Sequence, residues 1–316
     1  MQPILIIYTG GTIGMRTSSE GYQPCDGIQT LIESSLSMAA LAQLQPYQVH
    51  EFDNLIDSSN ALPSNWLEIA QCIKDHYQQY SAFIVLHGTD TMAYTAAALH
   101  HLLGENIKPV IVTGSQIPMC EARSDASSNL LEAALFARSG KVAQVCISFA
   151  GKLLAGNSAK KVHTSAMAAF DSLNRPPLAL ANIALDFSQN TVTMSNAKTD
   201  KSFEFPSLQE KSVAVIFLYP GINDSVINAA FLDSQTTAVV MLSYGAGNPP
   251  DQNLCLIKAL ESAQQRNIPV INITQCYSGS VSQGTYAVGS VLNKFGVISA
   301  GNRTLEDVVT SLYIKD

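Results

Sequence analysis

The feature that most constrains this chain is an apolar run cut short by glycines near its start. Residues 3–14 read PILIIYTGGTIG. Ile4 to Tyr8 are all apolar, as a strand covered on both faces requires, and the run stops at Thr9-Gly10-Gly11-Thr12-Ile13-Gly14. Glycines let the backbone turn tightly and approach a neighbour or ligand closely. The design recurs where Phe83–Leu86 runs into His87-Gly88-Thr89-Asp90-Thr91 and a helix. Ligands of open parallel α/β sheets bind at the carboxyl ends of the strands. Two strands of this kind therefore deliver two hydroxyls, Thr12 and Thr89, to one crevice.

The rest of the chain alternates between strand and helix patterns. Tyr47–Phe52 and Val110–Thr113 read as strands, and Val142–Phe149 as another. Residues 27–44 have helical apolar spacing. Trp66, Ile69, Ala70, Ile73 and Tyr77 share one helical face, with Asn65 as its cap and Glu68 three residues on. Thr91–Leu103 is a helix so apolar that it must be buried. Ser124–Arg138 is another, capped by Ser124 or Asp125 and stopped by Gly140. This alternation predicts a parallel sheet with right-handed crossovers. Residues 186–211 are polar and break the pattern, after which strands recur at Val213–Leu218, Ala238–Leu242 and Val270–Thr274. The fold class expected is α/β, with a larger amino-terminal catalytic domain at 1–185, a linker at 186–211 and a smaller carboxyl-terminal α/β domain at 212–316.

Composition narrows the function. Apolar residues make up 47% of the 316 and charged residues 14%, which supports a sizeable core and argues against disorder. The net charge of −7 provides no basic footprint for nucleic acid or an anionic membrane. No stretch is long and apolar enough for a membrane span. The amino-terminal run is short, lacks a basic start and leads straight into the glycine turn. The six cysteines are scattered without a CxxC. A cytoplasmic location is the expectation.

Each candidate residue carries a plain reading beside the chemical one. Thr12 either hydrogen-bonds within its turn or is a nucleophile, and a neutral threonine needs a base within reach to attack. Gly10, Gly11 and Gly14 do not form GxGxxG, and the phosphate-binding GxxxxGK[ST] is missing. Asp90 either caps the helix that follows or holds a substrate ammonium; both roles are compatible. The Thr89 backbone NH, near a helix amino terminus, suits an oxyanion. Lys161 is either a solvated lysine or the base. As base it needs burial or a neighbouring positive charge, which Lys160 could supply. No histidine cluster has metal-ligand spacing and Gly-x-Ser-x-Gly is missing, so neither a metal site nor the usual serine elbow is expected.

Together these residues resemble the bacterial-type L-asparaginase family, and its cytoplasmic type I branch most closely. The family's TGGTI signature is matched by Thr9–Ile13 and its HGTDT signature by His87–Thr91. The likeness continues through Val112–Gln116, Tyr219-Pro220-Gly221, Gly245–Asn248 and Thr274-Gln275-Cys276. It implies hydrolysis of L-asparagine to L-aspartate and ammonia through a threonine acyl-enzyme, without metal or cofactor. On that likeness Thr12 is the nucleophile and Tyr22 its orienting partner, while Thr89, Asp90 and Lys161 handle a second proton. Asp90 binds the substrate ammonium and Ser58 its carboxylate, with Ser59 beside it, and Asn248 is lent to a neighbouring subunit of a homodimer or homotetramer. Lysine stands at position 160, where the family usually has threonine before its catalytic lysine; Lys161 is chosen by its distance from Gly156-Asn157. A glutaminase, an ammonia-supplying subunit of a tRNA-dependent amidotransferase and a non-catalytic sensor of small molecules or nucleotides are the competing readings.

Overall fold

In the computed structural model, residues 2–19, 21–105, 107–189, 202–206, 208, 212–283 and 287–314 are described. The chain divides into two units, Met1–Phe205 and Pro206–Asp316. The first runs through β1 (Ile4–Gly10), β2 (Met15–Ser18), β3 (Gly21–Pro24), α1 (Ile28–Ser35), α2 (Met38–Leu44), β4 (Tyr47–Ile56), α3 (Pro63–His76), β5 (Ala82–Leu86) and α4 (Met92–Leu103). It continues with β6 (Val110–Thr113), α5 (Ala126–Arg138), β7 (Val145–Phe149), β8 (Lys152–Ala155), β9 (Ala159–Lys161), β10 (Phe170–Ser172), β11 (Ala179–Ala181) and β12 (Leu185–Phe187).

Eight of these strands form one sheet in the order β12-β11-β8-β7-β6-β5-β1-β4. All seven residues of β1 are buried, as its unbroken apolar run requires. The strands from β4 to β7 are parallel. Beyond β7 the sheet departs from the expected parallel arrangement, because β8 and β11 pair antiparallel. The cause is local. Only Ala150 and Gly151 join β7 to β8, at φ 47 and 78, and two consecutive positive-φ residues make the tight turn of a hairpin.

The helices differ from their sequence patterns in instructive ways. The 27–44 stretch is two helices, not one. Ser37 lies between them with an extended backbone, and its hydroxyl accepts from the Ala40 NH to start the second. The predicted face of α3 is buried as expected. Its cap is not Asn65, however, because Pro63 opens the helix and Asn65 lies within the first turn, its side chain accepting from the Leu62 NH at 2.8 Å. Gly140 follows α5 at φ 71, as a helix-ending glycine should. Most of the 186–211 stretch lies outside the described residues. Its described part supplies β12 and Phe203, which packs edge-on against Tyr77 at 4.9 Å.

The second unit is a parallel sheet of β13 (Ser212–Phe217), β14 (Thr236–Ser243), β15 (Val270–Thr274) and β16 (Ile298–Ser299), in sequence order. Its helices are α6 (Asp224–Leu232), α7 (Leu254–Gln265), α8 (Ala287–Lys294) and α9 (Leu305–Ile314). Phe231, Met241, Leu256 and Leu260 pack in one of its cores, Val240, Ile271 and Val308 in another. Among the described residues no helix is long and apolar enough to cross a membrane.

Candidate active site

The parallel strands β4, β1, β5 and β6 are neighbours, and each releases its loop at the same edge of the sheet. The register pairs Gly10 with Ile56, Tyr8 with Leu86 and Leu86 with Thr113. Ser58, Thr12, Thr89 and Gln116 follow these four strand ends within a few residues. The chain leaves β1 for β4 on one side and returns to β5 on the other, so Thr12 sits at a topological switch point, where α/β sheets open a crevice.

Glycines pack these loops against one another. A Cβ on Gly11 would overlap the Gly88 amide nitrogen and Cα; one on Gly10 would meet Ile56, and one on Gly88 would lie 2.6 Å from the Ser58 Cβ. Gly10 and Gly11 also hold φ values of 119 and 86, which side chains disfavour. The Thr9 hydroxyl adds a 2.9 Å bond to the Leu86 carbonyl. The two glycine turns thus touch backbone to backbone, and the threonines that follow them are held in adjacent loops.

Thr12 opens a short 3₁₀ turn, Thr12–Gly14, and is half-buried. Thr89 is buried, and its hydroxyl accepts from Lys161 Nζ at 2.8 Å. The same ammonium donates to Asp90 Oδ1 at 2.7 Å. Lys161 ends β9, whose hairpin with β10 lies outside the large sheet. Its side chain is 21% exposed, so the solvated reading fails, whereas the Asp90 side chain is 62% exposed and faces water. Asp90 does not cap α4 through its side chain. The residue at that cap position is Thr91, which instead donates its hydroxyl to the Ser58 carbonyl at 2.7 Å. Ser58 is buried, and its Oγ accepts from the Asp90 NH at 3.3 Å, which leaves the serine proton for another acceptor. Ser59 is exposed, its NH bonded to Asp57.

Tyr22 lies on β3, hairpin-paired with β2, and is half exposed. Its hydroxyl donates to Glu121 Oε1 at 2.8 Å, not to Thr12, and that bond pushes its ionisation upward. Asn248 belongs to the second unit, where its NH and carbonyl close a turn with Tyr244 at 2.8 and 3.0 Å. Among the described residues no group of three or more His, Cys, Asp or Glu is placed to hold a metal ion.

Comparison with known proteins settles the family. The model of the asparaginase amino-terminal domain matches residues 3–193, and that of the glutaminase/asparaginase carboxyl-terminal domain matches residues 212–314. The chain is 40% identical over 310 residues to L-asparaginase 1 of Escherichia coli, covering 98% of this chain and 90% of that one. The chain belongs to the asparaginase family. A crystal structure of L-asparaginase I from Vibrio cholerae superposes with a TM-score of 0.87 at 38% identity, covering 99% of this chain and 92% of the other. The thermostable L-asparaginase from Thermococcus kodakarensis gives 0.82 at 29% identity, with 98% and 92% covered. This chain is therefore an amidohydrolase of that family, with its α/β fold.

Three residues of this asparaginase-family site were not legible as site residues. Gln116 stands 3.4 Å from the Thr89 hydroxyl through Oε1, and its amide donates to the Thr164 and Ala166 carbonyls. Asp125 read as a cap, but its carboxylate collects the Gln116 and Ile117 NH groups at 3.0–3.1 Å and so fixes the turn after β6. His87 is a neutral linchpin. It bonds the Gly88 carbonyl at 2.7 Å and Thr95 at 3.0 Å, and burial lowers its pKa. The signal available for it was its place directly before a glycine turn.

Proposed function

We propose that this chain hydrolyses L-asparagine to L-aspartate and ammonia through an ester on Thr12. The observation that carries the reading is the Lys161–Thr89 bond of 2.8 Å in a loop packed on the Thr12 turn through Gly11 and Gly88. A second hydroxyl with its own ammonium is what an amide-cleaving site needs beside a nucleophile. Thr12 attacks the side-chain amide carbon, and Tyr22 orients it. Backbone NH groups near Thr12 and Thr89 hold the oxyanion. Ammonia leaves, and a water directed by Thr89, Lys161 and Asp90 releases aspartate. The free carboxylate oxygen of Asp90 takes the substrate ammonium, and the unused Ser58 proton takes its carboxylate, with Ser59 alongside.

We further propose a catalytic amino-terminal domain at 1–185, joined through 186–211 to a smaller carboxyl-terminal domain at 212–316. We assign a homodimer or homotetramer in which Asn248 reaches a neighbour's site, a cytoplasmic location, no cofactor and no nucleic-acid or membrane partner. The test is ammonia release by the purified protein. Asparagine is expected to be turned over more efficiently than glutamine, and Thr12→Ala and Thr89→Val should each lower kcat by about 10²–10⁴. Wild-type turnover in either variant removes that threonine from the mechanism. Binding of asparagine without release of ammonia overturns the whole reading.

A further inference from the structure

Three consecutive residues after β6 bond to the stretch that runs from the Thr12 turn to β3. The Met119 NH donates to the Ile13 carbonyl at 3.1 Å. Cys120 Sγ donates to the Met15 carbonyl at 3.6 Å. Glu121 then accepts the Tyr22 hydroxyl at 2.8 Å. Two turn bonds hold the Glu121 backbone, its NH to the Pro118 carbonyl at 3.0 Å and its carbonyl from the Ser124 NH at 3.1 Å. The side chain is half-buried. Thus a carboxylate on an anchored segment fixes a tyrosine that is itself half exposed on a two-stranded hairpin.

We propose that Glu121 is the positioning residue of Tyr22 and the transient acceptor, through Tyr22, of the proton that Thr12 loses. The inference rests on the reading above, in which Tyr22 serves Thr12. A phenol has one proton and two lone pairs. With its proton committed to Glu121, Tyr22 offers only lone pairs; its cross-strand neighbour Thr17 bonds to one, and the other is left for the Thr12 hydroxyl that the proposed mechanism brings to it. As the Thr12 oxygen bonds to the amide carbon, its proton moves to the Tyr22 oxygen and the Tyr22 proton moves to Glu121. As the carbon–nitrogen bond breaks, Tyr22 gives its proton to the departing nitrogen, which leaves as ammonia, and takes one back from Glu121, which is a carboxylate again before water enters. The raised ionisation of Tyr22, due first to its bond with Glu121, agrees with a phenol held protonated at rest.

The experiment compares wild type with Glu121→Gln, Glu121→Asp, Tyr22→Phe and the double variant Glu121→Gln/Tyr22→Phe. Glutamine retains an acceptor oxygen but takes up no proton. Its kcat on asparagine is expected to fall about 10²-fold with KM little changed, and the acid limb of the pH profile should become shallower, since one of the two carboxylates in the proposed mechanism is gone. Aspartate should restore part of kcat together with the slope of that limb. Glu121→Gln should cost nothing further once Tyr22 is phenylalanine. Equal costs in the two backgrounds, or an unchanged kcat and acid limb, overturn the proposal. An ultraviolet titration of the tyrosines, with Tyr22→Phe subtracted, gives a readout independent of turnover. The Tyr22 ionisation should move to lower pH in Glu121→Gln, and no movement also overturns the proposal. If the wild type releases no ammonia, the amidohydrolase reading fails, while the titration still decides whether Glu121 governs Tyr22.

Discussion

Gly11→Ala tests whether contact between the two glycine turns creates the site. Gly11 lies at φ 86 and ψ 174, a region nearly closed to other residues, so alanine there stores about 1–3 kcal/mol of strain. The added Cβ would also overlap the Gly88 nitrogen and Cα and lie 2.7 Å from the His87 carbonyl carbon. These are backbone atoms, which cannot rotate aside as a side-chain tip can, and overpacking of this kind adds about 1–3 kcal/mol. The sum is about 2–6 kcal/mol. Gly140→Ala is the control, because Gly140 has φ 71 and nothing within 4 Å of its added Cβ, leaving only the left-handed penalty of about 1–2 kcal/mol. Urea unfolding gives both stabilities, and ammonia release measured where both variants remain folded gives both activities. Gly140→Ala should keep its activity. Gly11→Ala should lose at least about 10²-fold, since a shift of about 1 Å in a catalytic group has that effect. A Gly11→Ala variant no less stable than Gly140→Ala, with full activity, would refute the argument that this contact aligns the two threonines.

Lys161→Met separates chemistry from stability. The Asp90 side chain is 62% exposed, so the ion pair is screened and contributes about 0–1 kcal/mol to folding, whereas kcat should fall about 10²–10⁴-fold. Lys161→Arg keeps the charge but cannot give up a proton, and should stay impaired; recovery to wild-type kcat would leave the residue a purely electrostatic role. His87 should make the fold sensitive to acid. Its folded pKa is lowered by burial, so the stability it contributes is present above the unfolded value of 6.5 and lost as pH falls below it. Melting temperatures between pH 8 and pH 5 should drop less steeply for His87→Asn, and equal slopes would count against the assignment. Glu132 has the opposite sign. Burial raises its pKa above 4.5 despite the Gly151 NH, so stability is lost as pH rises through the folded value. Glu132→Gln should therefore raise the melting temperature more at pH 7 than at pH 4, and a pH-independent effect would contradict this.

The parts of the fold that were legible in the sequence are those where burial dictates composition. β1 and β5 are enclosed on both faces, so their apolar runs identified them without help from any other segment. α3 was legible through its one-sided stripe, but its start was not, because Pro63 opens the helix one turn earlier than a side-chain cap at Asn65 would. The antiparallel margin of the sheet was hidden in Ala150-Gly151, since alanine at positive φ carries no compositional signal. Thr12, Thr89 and Asp90 were legible because each follows a buried strand and a glycine. Glu121 and Gln116 were not, because their roles depend on contacts with residues far away in sequence.

Lys161 shows why such a site needs two kinds of scaffold. The parallel core can only present groups that follow its strand ends, and at β4, β1, β5 and β6 those positions hold hydroxyls, an amide and a carboxylate. A lysine in the same place would be free to follow solvent, as Asp90 partly does. β9 instead brings the ammonium from a separate two-stranded hairpin, and its side chain is only 21% exposed where it meets Thr89 and Asp90. The buried hydroxyl takes one ammonium proton and the exposed carboxylate another, so the amine is held between a dry partner and a wet one. In the mechanism proposed above, this arrangement places the ammonium to relay a proton between Thr89 and Asp90. It also explains why the sequence could not choose between a base and a solvated lysine. The choice depends on the path of a hairpin, and that path leaves no period in the amino acids that form it.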